Sequence, residues 1–173
     1  MRFPLDTVPF DRLLWLVPIF FMLHNMEEAP FMERWSQRLP VKLPISYSTR
    51  QFVIAVTLIT LSGFLLTYYG VEYLHSSIGY LLVLQFQMVL LLNAFIPRIG
   101  ATIRFRRYSP GVVTATLITI PFSLYLFQRA LNENVLTWNQ IWILLGIAPF
   151  AMVFFTLVFL QIGKALDNPG TKV

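Results

Sequence analysis

His24, Glu27 and Glu28 stand at positions i, i+3 and i+4 of the run His24-Asn25-Met26-Glu27-Glu28. At 3.6 residues per helical turn these three side chains leave one face, so an imidazole and two carboxylates converge on one small volume. Three roles suit that geometry. His24, Glu27 and Glu28 can ligate a divalent metal such as zinc, iron or manganese, as Glu-x-x-His arrangements do in bundle di-metal proteins. Without metal, two neighbouring carboxylates resist ionising together, which leaves one to act as acid and the other as base. In the structural alternative the acids pair with Arg34, Arg38 or the Arg104 to Arg107 group and only orient the helix.

A second polar element supports convergence. If the first apolar run enters the membrane near Pro9, His24 lies ~22 Å along it at 1.5 Å per residue, and Asn93 lies ~24 Å along a third run entering near Ser77. Asn93 is therefore expected level with His24, as a polar orienter. Gln85, Asn93 and Gly100 are spaced to share one helix face. Just beyond, Arg104, Arg106, Arg107 and Tyr108 form a basic cap suited to anionic lipid head groups or another anion. His75 falls in a short loop at the opposite membrane face, where it cannot share a metal with His24.

The elements that must hold these groups are membrane spans. Of 173 residues, 57% are hydrophobic and 12% charged, against roughly 25% charged in soluble domains. Five apolar runs are expected to span: 11–33, 52–69, 78–103, 112–128 and 141–162. No small-x-small cleavage pattern follows the first, which is read as a retained span. Pro18, Pro97, Pro121 and Pro149 can kink four of the five. Assigned to alternate sides, ten Lys and Arg residues fall with the loops after runs one and three and with the C-terminus, and three fall opposite, accounting for all 13. The positive-inside rule then places the C-terminus in the cytoplasm and the N-terminus outside. Trp15, Tyr68, Tyr69, Tyr73, Trp138 and Trp142 gather toward the outer end as an interfacial aromatic belt. The net charge of +5 follows from these loops and gives no ground for a nucleic-acid partner. Without cysteine, stability must come from helix packing and lipid.

The motif His24-Asn25-Met26-Glu27-Glu28, with Asn93-Ala94 and Arg107-Tyr108-Ser109-Pro110-Gly111-Val112-Val113-Thr114-Ala115, resembles the HXXEE-domain family of small bacterial membrane proteins over residues 13–130. The resemblance implies a bacterial inner-membrane location and a membrane enzyme, metal-dependent in one reading, with no defined reaction. It also implies a second His four residues after the Asn. Here Asn93 matches, but Pro97 stands at that place. A two-His metal centre then cannot form within one chain, and a metal would need water, Asn93 or substrate to complete its shell.

The expected fold is an all-α, five-span bundle forming a single transmembrane domain, with His24, Glu27, Glu28 and Asn93 lining a cavity open toward the cytoplasmic leaflet. The expected function is a membrane-embedded enzyme acting on a lipid or other apolar small molecule. Isomerisation or cyclisation through a carbocation is one chemistry that aromatic faces can stabilise. The competing class is a small transporter or an accessory subunit of a larger membrane complex or homo-oligomer, in which the His/Glu cluster is structural. No symmetry-related pair of discontinuous helices favours the transporter.

Overall fold

A computed structural model describes residues 4–39, 47–74 and 76–167; His75 and the run from Pro40 to Pro44 lie outside them. No strand occurs among the described residues. After a short helical segment, Phe10–Leu14, come α1 (Leu16–Glu28), α2 (Met32–Gln37), α3 (Thr49–Tyr73), α4 (Ser77–Phe105), α5 (Val112–Asn132) and α6 (Trp138–Asp167). Among the described residues, α3 to α6 are the four helices long and apolar enough to cross a membrane. α3, α5 and α6 run three to five residues past their apolar stretches at one end or both, and α4 one or two. Ser48 and Gln51 form a reciprocal capping box at the start of α3, and Ser76 accepts the Gly79 N–H at the start of α4.

The first expected run differs. It arrives in pieces, broken at Trp15 and again between Ala29 and Phe31. Both breaks have the same cause. Pro18 and Pro30 lack the N–H that the carbonyls of Leu14 and Met26 would accept, and each ring crowds the carbonyl four residues back. Three of the long helices contain a π segment, at Tyr69–Tyr73, Ala94–Gly100 and Ala115–Thr119. Pro97 lies inside the second and Pro121 follows the third, so at both places a missing donor loosens the i→i−4 ladder.

Packing is close where side chains are small. A Cβ on Gly163 of α6 would stand 2.5 Å from the Gln51 carbonyl oxygen of α3, and one on Gly79 of α4 only 2.2 Å from that of Gly70. Small residues of this kind let helix backbones touch where lipid supplies no hydrophobic drive. α1 packs against α3, α4 and α5. Its Val17 is fully buried, together with Leu13, Leu14, Val83, Leu84 and Leu126. The outside is as apolar as the inside, with Leu65, Ile103, Leu117 and Phe150 all exposed. Such a surface on helices of this length is that of a membrane protein.

Candidate functional site

The last turns of α1 carry His24, Asn25, Glu27 and Glu28 into the junction of α3, α4 and α5. The two glutamates part company there. Glu27 meets the first turn of α5, accepting hydrogen bonds from the backbone N–H groups of Val113 at 3.2 Å and Thr114 at 2.8 Å, the Thr114 hydroxyl at 2.6 Å and the Tyr108 phenol at 2.5 Å. A carboxylate on the free N–H groups of a helix start also opposes the positive end of its dipole. Glu27 is thus an N-terminal clamp on α5, supplied from another helix. Glu28 is 2% exposed and turns to α4, where Arg98 binds one carboxylate oxygen and His24 Nε2 lies 3.3 Å from the other.

The loop before α5 is built around this motif. Gly111 has φ of +84°, and a Cβ there would lie 2.6 Å from His24 Cε1. Only glycine combines the left-handed turn with room for the imidazole. Beside it, Ser109 and Pro110 are fully buried. The Tyr108 phenol is pushed up to about 12, first by desolvation and then by its bond to Glu27, so it remains a donor through the neutral range.

His24 reads as a tautomer through its partners. The Thr114 hydroxyl donates to Glu27 and therefore accepts from His24 Nδ1–H at 2.9 Å. That leaves Nε2 facing Glu28, with the Asn93 amide nitrogen 3.5 Å away. Asn25 is occupied elsewhere, donating to the Thr60 hydroxyl of α3 at 2.8 Å.

The expected meeting of His24 with Asn93 therefore occurs, and Glu28 joins it, while Glu27 sits on the far side of the imidazole in a network of its own. Neither acid pairs with Arg34, Arg38 or the Arg104 to Arg107 group; the partner is Arg98, 6% exposed. The π segment explains the difference. In an unbroken α-helix the residue four after Asn93, Pro97, falls beneath it, whereas the wider turn brings the fifth residue round. The pattern of polar residues carries no mark of that shift, so the ion pair was invisible in the sequence. Arg104, Arg106 and Arg107 stand exposed at the end of α4 and in the loop after it.

Among the described residues no group of three His, Asp or Glu side chains is arranged to hold a metal. The donors of His24, Glu27 and Glu28 do not fit one as they stand. Four hydrogen bonds occupy Glu27, and a guanidinium on Glu28 repels a cation at the same carboxylate.

A cavity of about 390 Å³ opens between α3, α4 and α6. Its walls are mostly apolar, Phe52, Ile59, Phe86 and Phe155 among them, and Asn25, Glu28, Asn93 and Arg98 gather at one end. Two polar atoms of lining residues have no hydrogen-bond partner among the described residues, Nε of Arg98 and Oε1 of Gln85.

No solved structure matches this chain. A search of curated proteins finds similarity to an uncharacterized protein, YrkK, of Bacillus subtilis (strain 168), 29% identical over 120 residues that cover 69% of this chain and 75% of the relative. Residues 15–126, which include the clamp on α5, the His24–Glu28 pair and Asn93, match the model for proteins of unknown function with an HXXEE motif, and the chain belongs to that family.

Proposed function

We propose that this protein is a membrane-embedded acid–base enzyme acting on a lipid or other apolar molecule held in the cavity between α3, α4 and α6. One observation carries the reading: Glu28, buried and in contact with His24, lines the polar end of an apolar cavity large enough for a small-molecule ligand. Ionisable groups at such a depth have a high solvation cost and are characteristic of working sites. In this mechanism the Glu28–His24 pair takes a proton from one carbon of the substrate and returns one to another. Asn93 orients the imidazole, and Arg98 holds the Glu28 carboxylate in place. Protons balance without a redox partner, which suits isomerisation or cyclisation. The geometry favours the metal-free reading over the metal-dependent one, and for Glu27 it favours a positioning role.

The membrane topology that goes with this reading has five crossings. Phe10–Leu14 and α1 together supply about the 20 residues that a fifth crossing needs. The Lys and Arg distribution supports a cytoplasmic C-terminus in a bacterial inner membrane, and reporters fused at each terminus test the orientation.

The functional test uses protein purified from native membranes. Mass spectrometry is expected to find an apolar molecule bound to wild type and absent from Val56→Trp, which fills the cavity wall. In heavy water, solvent deuterium is expected to enter that molecule's carbon positions, and to stop doing so in Glu28→Gln and His24→Gln. Exchange that continues in both variants would refute the proposal and favour a structural cluster in an accessory subunit.

A further inference from the structure

A second concavity lies on the other side of the Glu27 clamp. It has a volume of about 1150 Å³ between α2 and the segment that ends α4 and leads to α5. Arg34 and Arg38 line it from α2, Arg104 and Arg107 from the facing segment, and Trp35 and Tyr108 supply aromatic wall. Among the described residues no carboxylate lines it. Among the described residues none of these four arginines forms an ion pair. Four guanidinium groups gathered around one space attract an anion, with Glu33 beside Arg34 and Glu27 behind Tyr108 offsetting part of their charge.

The backbone adds a separate observation. Arg106 ends the helical part of α4 in the left-handed region, with φ of 50° and ψ of 38°. Glycine or asparagine usually takes that position, since a Cβ costs about 1–2 kcal/mol there. The reversal places Arg104 before it and Arg107 after it on the same groove, while Arg106 itself is not among the lining residues.

We infer that this groove is a binding site for a phosphoryl group, carried by a lipid head group or by a free phosphate ester. Guanidinium forks match phosphate oxygens in pairs, and two facing elements each supply two forks. The aromatic wall of Trp35 and Tyr108 suits an apolar portion beside the phosphate. This inference is independent of the reaction proposed for the cavity.

The test uses full-length protein in phosphatidylcholine nanodiscs. One arm titrates inorganic pyrophosphate by calorimetry; the other adds phosphatidic acid to the discs and measures lipid retained in native mass spectrometry. At least one probe is expected to bind saturably. Arg34→Gln and Arg104→Gln should each weaken it roughly tenfold, the loss of one charge-assisted contact. Arg106→Asn removes the same charge, suits the left-handed turn and should leave binding unchanged. Pyrophosphate binding identifies a soluble ligand, and phosphatidic acid binding alone identifies a lipid. If a glutamine variant fails to stay monodisperse, Arg34→Lys and Arg104→Lys, which keep the charge and lose the fork, should weaken binding severalfold. Binding of neither probe overturns the inference, as does an Arg106→Asn loss equal to that of Arg104→Gln, which would mark diffuse surface charge.

Discussion

Replacing Gly111 by alanine should destabilise this protein through two separable effects. The backbone at φ of +84° holds any other L-residue in the left-handed region at a cost of about 1–2 kcal/mol. The new methyl would also meet His24 Cε1 at 2.6 Å, and the ring cannot easily swing away, since Thr114 holds Nδ1 and Glu28 and Asn93 face Nε2. Overpacking of that kind adds about 1–3 kcal/mol, so the combined penalty is roughly 2–5 kcal/mol. In a His24→Ala background the ring is gone and only the backbone cost of about 1–2 kcal/mol remains. Equilibrium denaturation in mixed micelles of wild type, both single variants and the double variant measures the difference as a coupling of about 1–3 kcal/mol. Equal alanine penalties in the two backgrounds would show that the loop does not rest on the imidazole, and the account of the Gly111 turn would fail.

Two other outcomes bear on the same junction. Arg98→Met strands a buried carboxylate and should cost about 3–5 kcal/mol in the same denaturation assay, while adding Glu28→Gln should recover most of that loss. Tyr108 should titrate by ultraviolet absorbance, as the difference between wild type and Tyr108→Phe, near about 12 rather than at the usual ~10. Because its neutral form is the one favoured by folding, its bond to Glu27 contributes fully below the ordinary phenol range and is lost as pH rises through about 12. Glu27→Gln should lower that midpoint without restoring the ordinary value, since burial is the larger cause; an unmoved midpoint counts against the contact.

Hydropathy alone located the four long helices, because twenty or so apolar residues in a row have few other uses. Helix ends lie beyond the apolar runs where capping chemistry, as at Ser48 and Gln51, carries a helix past its apolar stretch. In the sequence the first run is already interrupted by its own polar motif, and Pro18 and Pro30 add the places where a ladder must break. At the site, helical spacing and rise along the axis sufficed to bring His24 level with Asn93. They could not separate Glu27 from Glu28, since residues adjacent in sequence share a helix end and only the neighbouring helices decide which way each side chain is drawn. Gly111 needed the third dimension too: a glycine after Ser109-Pro110 reads as a plain turn until the ring stacked on it is seen.

The π segment at Ala94–Gly100 acts as a register fault, one residue more than a regular helix would thread through the same length. Excising a single residue between Asn93 and Arg98 would let a regular turn bring the fourth residue to the place the wider turn now gives the fifth, so Arg98 and everything beyond would keep facing α1. Straightening the wide turn without shortening the chain would instead rotate Arg98, the guanidinium-bearing end of α4 and the loop leading to Gly111 by about 100° relative to Asn93, away from α1. Winding and length are therefore coupled in this stretch: a change in one keeps α1 and α4 in step only when the other changes with it.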